Sequence, residues 1–163
     1  SLTFMVGGEE STYKKTKFLF DIMGKNSILC GAIGAGQSIK MCNNMLLAIT
    51  MTGLGESLKL AKNLNLDISK FYNVLSTSSA SCWAINNYFP IKGIGPTSPA
   101  DNDFNGGFSS KLMLKDLGLA IEAAKASKTN LNFGKQAKHN FEKIVNAGKG
   151  DLDFSNIINN LDN

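Results

Sequence analysis

Lys40 stands where an amine could exchange protons. It sits in the first turns of the most apolar helical stretch of the chain, flanked by Ile39 and Met41, with Asn43 and Asn44 three and four residues on. On a helix that spacing puts Lys40 and Asn44 on one face. Partial burial disfavours an ammonium ion, which would bring the lysine toward the range where it takes a proton from a substrate hydroxyl near neutral pH. The Asn44 amide both donates and accepts, so it could hold that hydroxyl or a neighbouring carboxylate. Lysine and asparagine four apart on a helix are also commonly just solvated, and residue types alone leave both readings open.

Other chemistry-bearing patterns are weaker. Gly31, Gly34 and Gly36 follow an apolar run and precede a helical one, the setting of a dinucleotide fingerprint, but neither possible start gives G-x-G-x-x-G, because Ile33 or Ile39 falls where a glycine is required. A glycine connector between two parts of the chain is the plainer reading. Asp101, Asp103, Asn105 and Gly106 reproduce the first half of a calcium loop, but Leu112 stands where the bidentate glutamate should be, which leaves a polar turn. No metal site is expected. His139 is the only histidine and reads as a surface residue. Met41, Met45 and Met51 read as core filling.

The composition narrows the function classes. The chain has 163 residues, about one domain's worth, with 43% hydrophobic and 18% charged residues, so it buries a core and is not disordered. Its net charge of +4 comes from lysine alone, since there is no arginine, and the lysines are scattered. Nucleic-acid recognition leans on arginine's planar fork, so no nucleic-acid partner is expected. Met45 to Leu54 is the longest apolar stretch and is too short and interrupted to span a bilayer, so no membrane partner is expected either. Cys30, Cys42 and Cys82 form an odd set with no C-x-x-C pair, which points to a reducing compartment. Ser1 leads at once into an apolar segment with no basic run before it, and the chain reads as a piece of something longer.

Residues 1–30 read as strand, helix, strand: Leu2 to Val6 ending at Gly7-Gly8, a helix from about Glu9 to Gly24 with Phe18, Leu19 and Ile22 on one face, then Ser27 to Cys30. Two strands do not make a stable sheet alone, so this unit is expected to complete a larger one. A long helical pattern then runs from Gly36 to about Asn63. Asp67 caps a shorter helix carrying Phe71, Val74 and Leu75, and Ser81 opens another that Pro90 ends. Residues 90–107 hold all three prolines and read as loop. Helices follow over Ser109 to Lys128, Phe133 to Ala147 and Phe154 to Leu161.

Taken together, Gly31-x-x-Gly34-x-Gly36-x-x-x-Lys40-x-x-x-Asn44 resembles the substrate-domain motif of the β-hydroxyacid dehydrogenase family. Further segments resemble the C-terminal half of its 3-hydroxyisobutyrate dehydrogenase branch. These are Ser78-Ser79-x-x-Cys82-Trp83, Asn87-Tyr88-x-Pro90, Asn105-Gly106-Gly107-Phe108 and Leu112-Met113-x-Lys115-Asp116-Leu117-Gly118-Leu119-Ala120. The resemblance runs in order along nearly the whole chain, from Leu2 to Ser155.

It implies a mainly α fold: an all-α C-terminal domain on a long interdomain helix, preceded by a short strand-helix-strand remnant of a Rossmann-type domain. The implied division is residues 1–33 as the end of a truncated dinucleotide-binding domain and 34–163 as the all-α substrate and dimerisation domain. By resemblance Lys40 is the acid/base residue, Asn44 binds substrate, and Lys115 and Phe108 meet the nicotinamide end of the cofactor, with Asp116 able to orient Lys115. The implied reaction is oxidation of 3-hydroxyisobutyrate to methylmalonate semialdehyde with NAD, NADP not being excluded, in valine breakdown. A homodimer or homotetramer in the mitochondrial matrix, or in the cytoplasm of a bacterium, is implied as well. Tartronate or succinic semialdehyde reductase chemistry on the same scaffold is an alternative, and so is a non-catalytic oligomerisation module. The fingerprint glycines and the serine-glycine-glycine segment of the family are not in this sequence, so the chain alone is expected neither to bind dinucleotide tightly nor to turn over substrate.

Overall fold

The computed structural model describes residues 2–161, leaving Ser1, Asp162 and Asn163 outside the description. The molecule is predominantly α-helical, with a small strand-containing part at its N-terminal end. It divides into two compact units, Ser1–Asn44 and Met45–Asn163.

In the first unit, strand β1 (Thr3–Gly7) pairs with β2 (Asn26–Gly31). The pairing is parallel, with Phe4 opposite Ser27, Met5 opposite Ile28 and Val6 opposite Leu29. Parallel neighbours need a crossover, which helix α1 (Glu10–Met23) supplies. The crossover is fastened by aromatic rings and one hydroxyl. Phe20 packs 5.0 Å from Phe4 and 6.1 Å from Tyr13, and the Tyr13 hydroxyl donates to the Ser27 carbonyl at 2.9 Å.

The expected apolar face of α1 does not pack inward. Phe18 is 61% and Ile22 80% exposed, with Leu19 also exposed, because the contacts to the strands come from Tyr13 and Phe20 on another side of the helix. Gly36 is the only buried residue among the described residues of this unit. A Cβ there would stand 2.1 Å from the Met5 carbonyl oxygen, so the start of the next helix can approach β1 only because residue 36 has no side chain.

Helix α2 (Ala35–Asn63) carries the chain from one unit into the next. The second unit continues with α3 (Ile68–Thr77), α4 (Trp83–Asn87), α5 (Ser110–Ala126) and α6 (Asn132–Ile144). Asp67 caps α3 as expected, its carboxylate accepting from the Lys70 amide at 3.0 Å. The core draws Met51, Leu54 and Leu58 from α2 and Ile85 from α4. To these it adds Met113 and Leu117 from α5, Phe141 and Ile144 from α6, and Phe89, Phe154 and Ile157 from outside those helices. Met45 packs against this core and Met51 is within it, as core-filling methionines should, whereas Met41 is half-buried and not part of it.

The last helical segments differ from expectation. After Ile144, α6 loosens into a π-turn over Val145–Lys149 in which Gly148 takes a left-handed φ of 76°. The segment expected to be helical from Phe154 to Leu161 is a 3-10 turn over Phe154–Asn159. The Asp153 carboxylate takes the Ser155 amide, and its carbonyl takes the Asn156 amide at 2.9 Å, closing the tighter ring.

Among the described residues, no helix is long and apolar enough to cross a membrane.

Candidate active site

Lys40 and Asn44 lie one helical turn apart on α2, at the end of the first unit. Lys40 is exposed, contrary to the partial burial its apolar neighbours suggested, because Ile39 beside it is exposed too. Asn44 is half-buried, and its side-chain oxygen accepts from the Asn43 amide at 3.2 Å. An exposed amine thus lies one helical turn from an amide that bonds to its neighbour.

Phe108 and Lys115 belong to the second unit, at and beyond the start of α5. Lys115 is 61% exposed, and its Nζ lies 3.4 Å from Oδ1 of Asp116, whose side chain is 8% exposed. A buried carboxylate beside an exposed ammonium restrains the lysine's reach without removing it from solvent. Phe108 is half-buried, its ring edge-on to Phe154 at 6.2 Å and 67°.

The residue that organises this region is Asp153, which sequence reasoning missed. Its side chain is fully buried and accepts four hydrogen bonds. Oδ2 takes the Tyr88 hydroxyl at 2.8 Å and the Phe108 amide at 2.7 Å, while Oδ1 takes the Ser155 amide at 2.9 Å and the Ser155 hydroxyl at 2.6 Å. Four donors fill a carboxylate's acceptor sites, which is what allows a charge to be buried. The Tyr88 hydroxyl is held protonated far above its ordinary range, first by burial and then by the Asp153 charge.

The tyrosine ring also stacks on two others, 5.0 Å from Trp83 and 5.5 Å from Phe154. Gly107 completes the arrangement. It has φ +67°, and a Cβ there would stand 2.2 Å from Asp153 Oδ2 and 2.7 Å from the Tyr88 oxygen. The one local hint was Asp153 two residues before Ser155, a common turn-opening pattern. Its remote partners left no mark in the neighbouring sequence.

The remaining patterns are structural. Asp101 spends its oxygens on the backbone amides of Gly93 at 2.8 Å and Ser98 at 2.9 Å, which hold its carboxyl below the usual range. The Asn105 amide donates to the Asn102 carbonyl at 3.1 Å, so the calcium-like sequence is a self-bonded loop. His139 is exposed on α6 with Nδ1 3.9 Å from Glu142. Cys42 is exposed, and the three cysteines are unpaired.

Comparison with known proteins gives the relationship. A family model described as the NAD-binding domain of NADP-dependent 3-hydroxyisobutyrate dehydrogenase matches residues 34–161. The chain belongs to the 3-hydroxyisobutyrate dehydrogenase family. The mitochondrial 3-hydroxyisobutyrate dehydrogenase of Drosophila melanogaster is 43% identical over 155 residues, 95% of this chain and 48% of that protein. The mouse mitochondrial enzyme is 40% identical over 161 residues, 99% of this chain and 48% of its own length. Among solved structures, Mycobacterium tuberculosis 3-hydroxyisobutyrate dehydrogenase with L-serine matches with a TM-score of 0.94 and 42% identity, over 100% of this chain and 56% of that one. The chain therefore spans about half the length of the family members it matches.

Proposed function

We propose that the chain is the C-terminal half of an NAD(P)-dependent dehydrogenase that oxidises 3-hydroxyisobutyrate to methylmalonate semialdehyde. Residues 1–33 would close the dinucleotide-binding domain, and 34–163 would form the substrate and assembly domain. The observation that carries this reading is the family match over residues 34–161, joined to a lysine and an asparagine one turn apart on α2. The relatives' names supply the substrate and the mitochondrial location that we infer for a eukaryotic protein.

The residues present suit a dinucleotide. Lys115 offers an exposed ammonium to a carbonyl or phosphate oxygen, Phe108 offers a flat apolar ring, and beyond its own chain neighbours no heavy atom lies within 4 Å of where a Cβ on Gly106 would stand, leaving room at the loop. A nicotinamide held there would supply the acceptor for the hydride that leaves the substrate carbon. In the same reaction Lys40 Nζ takes the proton of the substrate hydroxyl as the carbonyl forms, and Asn44 holds the hydroxyl or the substrate carboxylate in line. Since Lys40 is exposed in this chain, closing over it and stripping its water is assigned to bound substrate and to the rest of the intact protein. We infer a homodimer or homotetramer for that protein.

The test is the initial rate of NAD and NADP reduction by the full-length protein with 3-hydroxyisobutyrate, beside its Lys40→Ala variant. Loss of a general acid/base is expected to cut kcat by about 100- to 10,000-fold. Unaffected turnover in the variant would discard the role of Lys40. A protein that prefers tartronate or succinic semialdehyde would move the substrate assignment to those reductases, and one that turns over no hydroxy acid would favour an assembly module.

A further inference from the structure

A buried carboxylate is an expensive way to open a 3-10 turn. An exposed serine or asparagine does the same with one hydrogen bond. Asp153 instead divides its oxygens between two tasks. Oδ1 serves the local turn through Ser155, while Oδ2 joins two groups that lie 65 and 45 residues away in sequence, the Tyr88 hydroxyl and the Phe108 amide.

The same chain segment is tied again by its backbone, since the Asp153 amide donates to the Phe104 carbonyl and the Phe154 amide to the Phe108 carbonyl, both at 2.8 Å. Residues 104–108 are thus bonded to residues 153–154 by main chain on two sides, and the carboxylate fixes where along that bond Phe108 sits. Tyr88 is held further through its ring, which stacks on Trp83 and on Phe154, the residue next to Asp153. Gly107 leaves no space for the carboxylate to be displaced by a side chain.

We infer that Asp153 is a positioning residue for the dinucleotide reaction, setting Phe108 and Tyr88 together through one shared oxygen. It acts through those residues and is itself sealed from solvent. The inference rests on the dehydrogenase reading above, from which Phe108 takes its place beside the nicotinamide. In Asp153→Asn one oxygen becomes an NH2 group, which must face either Ser155 or the Tyr88 and Phe108 pair; the hydroxyl there can turn to accept, but the backbone N–H of Ser155 or of Phe108 loses its acceptor. In Ser155→Ala only the local turn is weakened.

The experiment measures kcat and KM for dinucleotide in the full-length protein, well below the unfolding temperature of each variant, together with its tryptophan emission and that of a Trp83→Phe background, whose difference isolates Trp83. For Asp153→Asn the expected result is a KM for dinucleotide raised on the order of tenfold, since small misplacements of binding groups are costly. A shifted Trp83 emission should accompany it. Asp153→Glu should not restore the KM, because its carboxylate sits one methylene too far out. Ser155→Ala should lower the melting temperature while leaving KM within twofold of wild type.

A KM within twofold of wild type in both folded Asp153→Asn and Tyr88→Phe, whatever their melting temperatures, overturns the positioning role and leaves the dehydrogenase reading standing. Should Asp153→Asn not fold, Tyr88→Phe decides. Removing one of the two donors to the shared oxygen should raise the KM about threefold if the two are coupled, and no change overturns the coupling. A wild-type protein that turns over no 3-hydroxy acid sinks the dehydrogenase reading and the positioning role with it.

Discussion

The two units of this molecule have secondary structure of similar regularity and entirely different interiors. In Met45–Asn163, Met51, Phe89, Phe141 and Ile157 are fully buried, and five elements converge on them. In Ser1–Asn44 only Gly36 is buried among the described residues, while Phe18, Ile22, Met23 and Ile33 stand open to solvent. The first unit is a piece of sheet with its crossover helix, held by ring contacts and by one close approach of backbones. Hydrogen bonds and helix propensity give an element its shape, but removal of apolar surface from water gives it most of its stability, and only the second unit has achieved that removal.

The contrast breaks most directly under core truncation. Phe141→Ala should cost about 3–5 kcal/mol in urea unfolding of the chain, as expected for a large buried ring, whereas Phe18→Ala should stay within about 0.5 kcal/mol. Equal costs would mean that α1 has a packed face that the structure does not contain. A second substitution addresses the first unit alone. Gly36→Ala puts a methyl group against the Met5 carbonyl oxygen, and the required shift should cost about 1–3 kcal/mol and raise amide hydrogen exchange in β1 and β2 while leaving α5 and α6 unchanged. Uniform exchange changes in both units would show that they open as one.

The smallest expected effect sharpens the description of the second unit. Tyr88→Phe should cost about 1 kcal/mol at neutral pH, since Asp153 keeps its other donors. The folded tyrosine is held protonated while the unfolded one ionises near its ordinary pKa of 10.0. Its stabilisation is therefore complete below about pH 10 and declines as the pH rises beyond it, because the unfolded chain then releases a proton that the folded chain keeps. The stability gap between wild type and variant should narrow above that pH, and a gap independent of pH would contradict the buried Tyr88–Asp153 contact.

Much of the architecture was legible because its causes are local. The Asp67 cap, the Gly24 stop, the proline-rich stretch after Phe89 and the long α2 run each depend on residues a few positions apart. Burial was less legible. The periodicity of Phe18, Leu19 and Ile22 marks an apolar face but not what lies against it, and Ile39 beside Lys40 proves to be exposed. Of the residues proposed for function, the one-turn spacing of Lys40 and Asn44 follows from a single helix, while Phe108 and Lys115 are proposed from their motifs. Asp153 could not, because two of its four donors come from segments distant in sequence.

That same distance orders events during synthesis. Residues 83–108 leave the ribosome before residue 153 has been added, so Tyr88 and Phe108 emerge without the carboxylate that joins them. Contacts of long sequence separation form only after the intervening loop has closed, and here that loop contains the whole of α5 and α6. The rings of Tyr88 and Phe108 thus wait on residues 153 and 154, and a nascent chain stopped short of Asp153 would carry the family's motifs without the bond that sets them.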